Sequence, residues 1–225
     1  MFDVIVRSEE PILLVGGGDV DNDSLRAALS RFRCIVAADS GADSVLKAGG
    51  MPDAVIGDMD SISRATREAL DPRVLHEITE QDSTDFDKCL RSIDAPLVVA
   101  MGFLGQRVDH ELAAFTVLAR RSDRPCILIG REDVVALCPP VLNLEMPRGT
   151  RVSLWPLANV TGRSTGLHWP IDGITFAPDA LAGTSNHVDG PLEIAMDAPS
   201  MLLILPVDFS DALSRAIMAG PRWVS

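Results

Sequence analysis

The sequence predicts a mixed α/β protein: an N-terminal α/β/α domain built on a parallel sheet, followed by a C-terminal antiparallel β-sandwich. Three observations predict it. From Ile12 to Ile129 short apolar runs alternate with helical patterns, and fully apolar strands belong to a parallel sheet covered on both faces. Beyond Cys138 the interruption Pro139-Pro140 is followed by short β-like runs separated by Gly, Pro, Asn and Asp. The length of 225 residues, with 47% hydrophobic, is enough for one large or two small domains with a real core.

In chain order, residues 12–15 read as the first strand, ending in Gly16-Gly17-Gly18. Residues 21–32 read as a helix with Leu25, Ala28, Leu29 and Phe32 at helical spacing. Residues 34–38 form a second strand running into Asp39-Ser40-Gly41, and 54–56 a third running into Gly57-Asp58. Residues 74–78, 97–101 and 126–129 complete the set, with helices over 63–70, 84–93 and 109–121 between them. In such folds ligands collect beyond the carboxyl ends of the strands. The later half offers strands at 141–146, 151–157, 171–176, 192–196 and 201–205, then a short helix at 211–218. The boundary between the two domains is expected at residue 138, giving 1–138 and 139–225.

Bulk properties narrow the function. A net charge of −12 argues against a protein that grips nucleic-acid phosphates, which needs a basic surface. No apolar run reaches membrane-spanning length, and Met1-Phe2-Asp3-Val4 lacks the basic start of a secretory signal. Cys34, Cys89, Cys126 and Cys138 form no C-x-x-C pair and read as reduced core thiols. A cytoplasmic protein without a membrane partner is the expectation.

Chemistry-bearing residues follow the strands. Gly57-Asp58-Met59-Asp60-Ser61 carries carboxylates at i and i+2, which an extended loop can point to one side. Magnesium takes hard oxygen ligands, usually one or two carboxylates plus phosphate oxygens. An Asp-rich turn explains the segment equally well. In Gln81-Asp82-Ser83-Thr84-Asp85-Phe86-Asp87-Lys88, Thr84 can cap a helix that starts at Asp85, where the helix end favours a carboxylate. Asp82 and Asp85 flank that cap and can share a metal; Lys88, one turn on, can reach a phosphate. The plainer reading is a charged first turn, which suits Asp87 best as solvated helix surface. In Gly102-Phe103-Leu104-Gly105-Gln106-Arg107-Val108-Asp109-His110, Arg107 offers a donor fork suited to phosphate. Asp109 reads as an N-cap, and His110 as a first-turn residue or a metal ligand without identified partners. Gly16-Gly17-Gly18 is neither a P-loop nor a G-x-G-x-x-G fingerprint, and a tight turn explains it as well as a phosphate cradle does.

Taken together these segments resemble the thiamine pyrophosphokinase family, whose members show an A-A-D-G-G-A-like turn, G-D-x-D-S, D-x-x-T-D-x-x-K and G-G-R-x-D-H. The counterparts are Ala37-Ala38-Asp39-Ser40-Gly41-Ala42, Gly57–Ser61, Asp82–Lys88 and Gly105–His110, with Gly166-Leu167-His168-Trp169 and Ser185-Asn186 matching later elements. Ser40 and Gln106 stand where the family usually has Gly. The resemblance implies a nucleotide-binding first domain, a second domain that binds thiamine and mediates dimerisation, and a homodimer with thiamine held where subunits meet. It implies transfer of diphosphate from ATP to the thiamine hydroxyl, with AMP leaving and Mg2+ on Asp58, Asp60, Asp82 and Asp85. Those four residues, Lys88 and Arg107 are the expected catalytic set. Asp39, Gly41, Arg107, Asp109, His110, Trp169, Ser185 and Asn186 are the expected substrate contacts. Alternatives are a magnesium-dependent pyrophosphokinase or phosphohydrolase with a related substrate, or a non-catalytic thiamine or nucleotide binding module.

Overall fold

The computed structural model describes residues 4–105 and 107–224. Gln106 and the first three residues of the N-terminal reading lie outside the described residues. The protein is mixed α/β with a large sheet. It divides into two compact units, Met1–Val117 with Leu128–Arg131, and Leu118–Ile127 with Glu132–Ser225.

In the first stretch of chain the elements are β1 (Val6–Arg7), β2 (Ile12–Val15), α1 (Asn22–Leu29), β3 (Ile35–Ala38), α2 (Gly41–Lys47), β4 (Ala54–Gly57), α3 (Arg64–Ala69), β5 (Leu75–Glu77), α4 (Asp85–Ser92), β6 (Ile93–Asp94), β7 (Val98–Met101), α5 (Val108–Arg120) and β8 (Cys126–Ile129). Strands β7, β2, β3, β4 and β5 pair in that order, all parallel. β2 and β4 are buried along their whole length, which is why they read as unbroken apolar runs. Polar side chains cap three helices, Thr84 among them as the sequence suggested. Asp21 accepts from Ser24 N at 2.8 Å, Ser63 from Thr66 N at 3.2 Å, and Thr84 from Asp87 N at 3.3 Å.

Helix α2 has no counterpart in the sequence reading. Its seven residues open on Gly41 and include Asp43 and Ser44, too short and polar to show a period. Gly41 is required there by close approach: a Cβ would lie 2.0 Å from the carbonyl oxygen of Val15. Gly41→Ala therefore forces α2 away from the end of β2. A loss of about 3 kcal/mol in denaturant unfolding is expected, at the upper end of overpacking costs; an unchanged midpoint would contradict this packing.

The second unit contains β9 (Asp133–Leu137), β10 (Val141–Leu144), β11 (Arg151–Pro156), β12 (Val160–Leu167), β13 (Thr175–Phe176), β14 (Gly183–Met196), β15 (Met201–Pro206) and α6 (Ser210–Ala219). Its strands pair antiparallel: β9–β15, β15–β11, β11–β14, β14–β10, β14–β12 and β12–β13. β14 spans 14 residues although Asp189-Gly190-Pro191 reads as a break. The register against β12 shifts beside Gly166, at φ +76°, which faces the Pro191 carbonyl and carries the ladder past the proline. β9 and β12 have no counterpart in the sequence reading: β9 follows a strand closely, and β12 is mostly polar and interrupted by two glycines.

Candidate active site

Because β2, β3, β4 and β7 run parallel, their carboxyl ends share one edge of the first unit. Gly16-Gly17-Gly18, Asp39, Asp58 and Gly102 follow those ends directly. A cavity of about 390 Å³ opens there, lined among others by Asp39, Asp58, Asp85, Lys88, Arg107 and His110.

Asp39 is 2% exposed, directly after β3. Its φ of +43° is left-handed, a conformation that Asp tolerates better than most residues. One carboxylate oxygen, Oδ2, accepts from Ser61 N at 3.2 Å, while Oδ1 is buried without a hydrogen-bond partner. The pairing of Ala38 with Ile56 brings Asp39 against Gly57, where a Cβ would stand 2.9 Å from that of Asp39. Burial first, then the nearby charges of Asp85, Asp58 and Asp60, push the Asp39 carboxyl up to about 6.

The loop after β4 is anchored by Met59, 6% exposed in the core cluster and also left-handed at φ +62°. With Met59 turned inward, Asp58 lines the cavity, while Asp60 is exposed and outside its lining. Asp58 Oδ1 accepts from Asp60 N at 3.3 Å, and Ser61 Oγ donates to Asp60 Oδ1 at 2.7 Å. Asp39, Asp58 and Asp60 each present an oxygen within 4.8 Å of the others. Three hard carboxylates, one of them with a buried oxygen that lacks a partner, fit a magnesium ion.

Lys88 ties the two acidic segments together. Its Nζ lies 3.0 Å from Asp85 Oδ1 and 3.7 Å from Asp58 Oδ2, and the side chain is 2% exposed. Burial opposes the Lys88 charge, but the pairing with Asp85 and the charge of Asp58 outweigh it and raise the ammonium's pKa. Burial likewise opposes charge on Asp58, yet the Asp60 N–H, Lys88 and Gln81 hold its carboxyl below the usual range. Phe86 packs on Phe103 with ring centroids 4.5 Å apart, joining α4 to the loop after β7.

The structure brings Asp58, Asp85, Lys88, Arg107 and His110 to one cavity, and adds Asp39 as the carboxylate that completes a cluster with Asp58 and Asp60. Asp82 is exposed, outside the cavity lining, with its N–H donated to Glu80 at 3.2 Å. Asp87 is a correction. It is 1% exposed rather than solvated, and pairs with Arg91 at 3.7 Å. Arg91 also binds Glu80 at 2.7 Å. Asp109 is not an N-cap, because α5 already begins at Val108; it pairs instead with Arg107 at 2.6 Å. Ser40, unlike glycine-demanding positions, has φ −60°, so its side chain costs nothing in backbone strain.

In the second unit Asn186 is buried and clasps the backbone of Trp169: its Oδ1 accepts from Trp169 N at 3.1 Å and its Nδ2 donates to Trp169 O at 2.7 Å. Trp169 is thereby presented at 57% exposure beside the stacked rings of His168 and His187. Ser185 is left-handed at φ +61°, its N–H donated to Ser153 Oγ. Cys89, Cys126 and Cys138 are buried free thiols, with burial pushing Cys138 up to about 12, and Cys34 is half-buried.

A family model for the catalytic domain of thiamin pyrophosphokinase matches residues 25–129. Thiamine pyrophosphokinases 1 and 2 of Arabidopsis thaliana are each 30% identical over 68% of this chain and 64% of their own length. The chain thus matches somewhat under two thirds of those relatives. Among solved structures, thiamin pyrophosphokinase from Geobacillus thermodenitrificans superposes with a TM-score of 0.70 at 23% identity, covering 90% of this chain and 100% of that one. The yeast thiamin pyrophosphokinase gives 0.72 at 17% identity, covering 96% and 95%. The solved structures share the fold.

Proposed function

Because the chain belongs to the thiamine pyrophosphokinase family, we propose that it transfers diphosphate from ATP to the hydroxyl of thiamine, giving thiamine diphosphate and AMP. The observation that carries this reading is the group of Asp39, Asp58 and Asp60 at the carboxyl ends of parallel strands, each with a carboxylate oxygen within 4.8 Å of the others, and with one Asp39 oxygen buried without a partner. That arrangement suits a bound cation and the phosphates it accompanies better than it suits an acidic turn. Asp39, Asp58 and Asp60 would hold Mg2+, with Asp85 alongside; Asp82 is left out of the set. When bound, the ion supplies charge neutralisation for the phosphates.

The chain's own residues do the rest. The glycines after β2 and β7 leave backbone room for the phosphates, and Gly102 and Gly105 adopt the left-handed φ those turns require. Arg107, exposed and held by Asp109, offers its fork to a phosphate at the cavity mouth. The acceptor hydroxyl attacks the β-phosphorus, the bond from that phosphorus to the bridging oxygen breaks, and AMP leaves with that oxygen. The hydroxyl proton passes to a carboxylate of the same group. Rate enhancement is then mainly positioning and electrostatic stabilisation.

We assign residues 1–138 to a nucleotide-binding domain and 139–225 to a β-sandwich that binds thiamine, in a cytoplasmic homodimer. Trp169, held outward by Asn186, supplies a flat face for the thiamine rings, and Ser185 a nearby polar contact. The buried thiols are those of a reducing compartment. Among the described residues no helix is long and apolar enough to cross a membrane.

The test is turnover of thiamine with ATP and Mg2+, following AMP and thiamine diphosphate together in equal amounts. Release of phosphate or pyrophosphate without thiamine, or no product above background from folded protein, would sink the assignment.

A further inference from the structure

The site contains its own cation, and that cation occupies carboxylate oxygens which a divalent ion would need. Lys88 emerges from α4 one turn after Asp85 and is 2% exposed. Its Nζ reaches Asp85 Oδ1 at 3.0 Å and Asp58 Oδ2 at 3.7 Å, spanning the loop after β4 and the start of α4. The aliphatic stem is buried, so the ammonium cannot swing into solvent and remains among the carboxylates. Asp39, Asp58 and Asp85 bring three formal negative charges to the cavity wall, with exposed Asp60 beside Asp39 and Asp58, and Lys88 brings one positive charge. The buried Asp39 oxygen has no donor, so the ammonium does not satisfy the cluster completely.

We propose that Lys88 is a resident counter-ion, a positioning residue that holds Asp58 and Asp85 in place and lowers the affinity of the metal-free site for a free divalent ion. The inference rests on the metal–nucleotide reading above and goes beyond the expectation that Lys88 simply contacts phosphate. Two cations cannot share the Asp58 and Asp85 oxygens without mutual repulsion, which is worth far more inside a protein than in water. Free metal is therefore disfavoured, whereas metal carried with the nucleotide arrives with phosphate oxygens that can take the ammonium as a partner. Lys88 thereby couples ion binding to nucleotide binding: each makes the other more favourable.

The experiment is a Mn2+ titration of the intact protein without nucleotide, followed by calorimetry or the electron paramagnetic resonance signal of free Mn2+, on wild type, Lys88→Met and Lys88→Arg. Lys88→Met is expected to bind Mn2+ about tenfold more tightly than wild type, since it removes a competing charge and leaves every carboxylate present. Lys88→Arg keeps the charge and is expected to match wild type within about threefold. A non-hydrolysable ATP analogue should tighten Mn2+ binding to wild type by more than it does to Lys88→Met. Disordering of the site would weaken Mn2+ binding rather than tighten it, so a merely structural lysine predicts the opposite sign. Lys88→Met affinity equal to or weaker than wild type overturns the proposal while leaving turnover of thiamine by wild type untouched. No bound Mn2+ in any of the three proteins, with or without the analogue, overturns the metal reading and this proposal with it.

Discussion

Asp39→Asn is expected to lose at least about a hundredfold in turnover while gaining stability at pH 7. Both effects come from one carboxylate. Asp39 is 2% exposed, with one oxygen held by Ser61 N and the other without a partner. Burial and the neighbouring Asp85, Asp58 and Asp60 push it up to about 6 from an ordinary 3.8. The metal-free folded protein therefore binds a proton more tightly than the unfolded chain does. Below pH 3.8 both states hold that proton and the shift costs nothing. As pH rises from about 4 to about 6 the folded state loses ground, and above 6 the whole penalty is present. Asn removes the charge, keeps an oxygen for Ser61 N, suits the left-handed φ of +43°, and turns its amide toward the neighbouring carboxylates. A gain of about 2 kcal/mol at pH 7 is expected, shrinking toward zero near pH 4, in denaturant unfolding without metal. In the same protein, product formation from ATP should fall because a ligand that is short of donors is the one best placed to meet a cation. Turnover within about threefold of wild type would remove Asp39 from the site.

Much of this was legible in the chain, and the reasons are local. β2 and β4 are covered on both faces, so their apolar runs carry no polar interruption, and each stops where the backbone turns at Gly or Asp. Thr84 announces its helix because a cap bonds to a residue three positions on, a relation that spacing alone exposes, and Asp21 and Ser63 cap theirs in the same way. What spacing cannot give is lateral distance. Asp39 and Asp58 lie 19 positions apart and meet because β3 pairs with β4, so the acidic group draws on Asp39 rather than on Asp82. The error over Asp87 has a related cause. A charge in a first turn reads as solvated, yet α4 is buried from Phe86 to Ser92 and its inward charges pair with one another through Arg91. A helix covered on every side and one covered on a single side differ in their surroundings, which a periodic pattern does not record. In the second unit, Asn186 was legible as polar but not as the clasp that turns Trp169 outward.

Asp58→Asn is expected to reduce turnover by about a thousandfold, because this carboxylate serves the cation and organises its loop together. Its Oδ1 receives Asp60 N, its Oδ2 receives Gln81 at 3.4 Å, and Lys88 Nζ stands 3.7 Å away. Asn can keep the Asp60 contact but offers Lys88 no charge. The effect on stability has the opposite sign to that of Asp39→Asn. Although burial opposes it, the Asp58 carboxyl is held below 3.8 by the Asp60 N–H, Lys88 and Gln81, so its ionised form favours the folded state. That contribution is present above pH 3.8 and is lost as pH falls through the lower, folded value. A loss of about 1 kcal/mol at pH 7, narrowing below pH 3.8, is therefore expected. The two substitutions each remove one charge from the same acidic group, and both are expected to cut turnover sharply, but one carboxylate is favoured by its partners and the other is crowded. If both destabilise the metal-free protein at pH 7 to the same extent, crowding does not govern Asp39. Opposite signs, with turnover lost in both, would identify Asp39 as the oxygen donor kept for a cation and Asp58 as the residue that Lys88 holds in readiness.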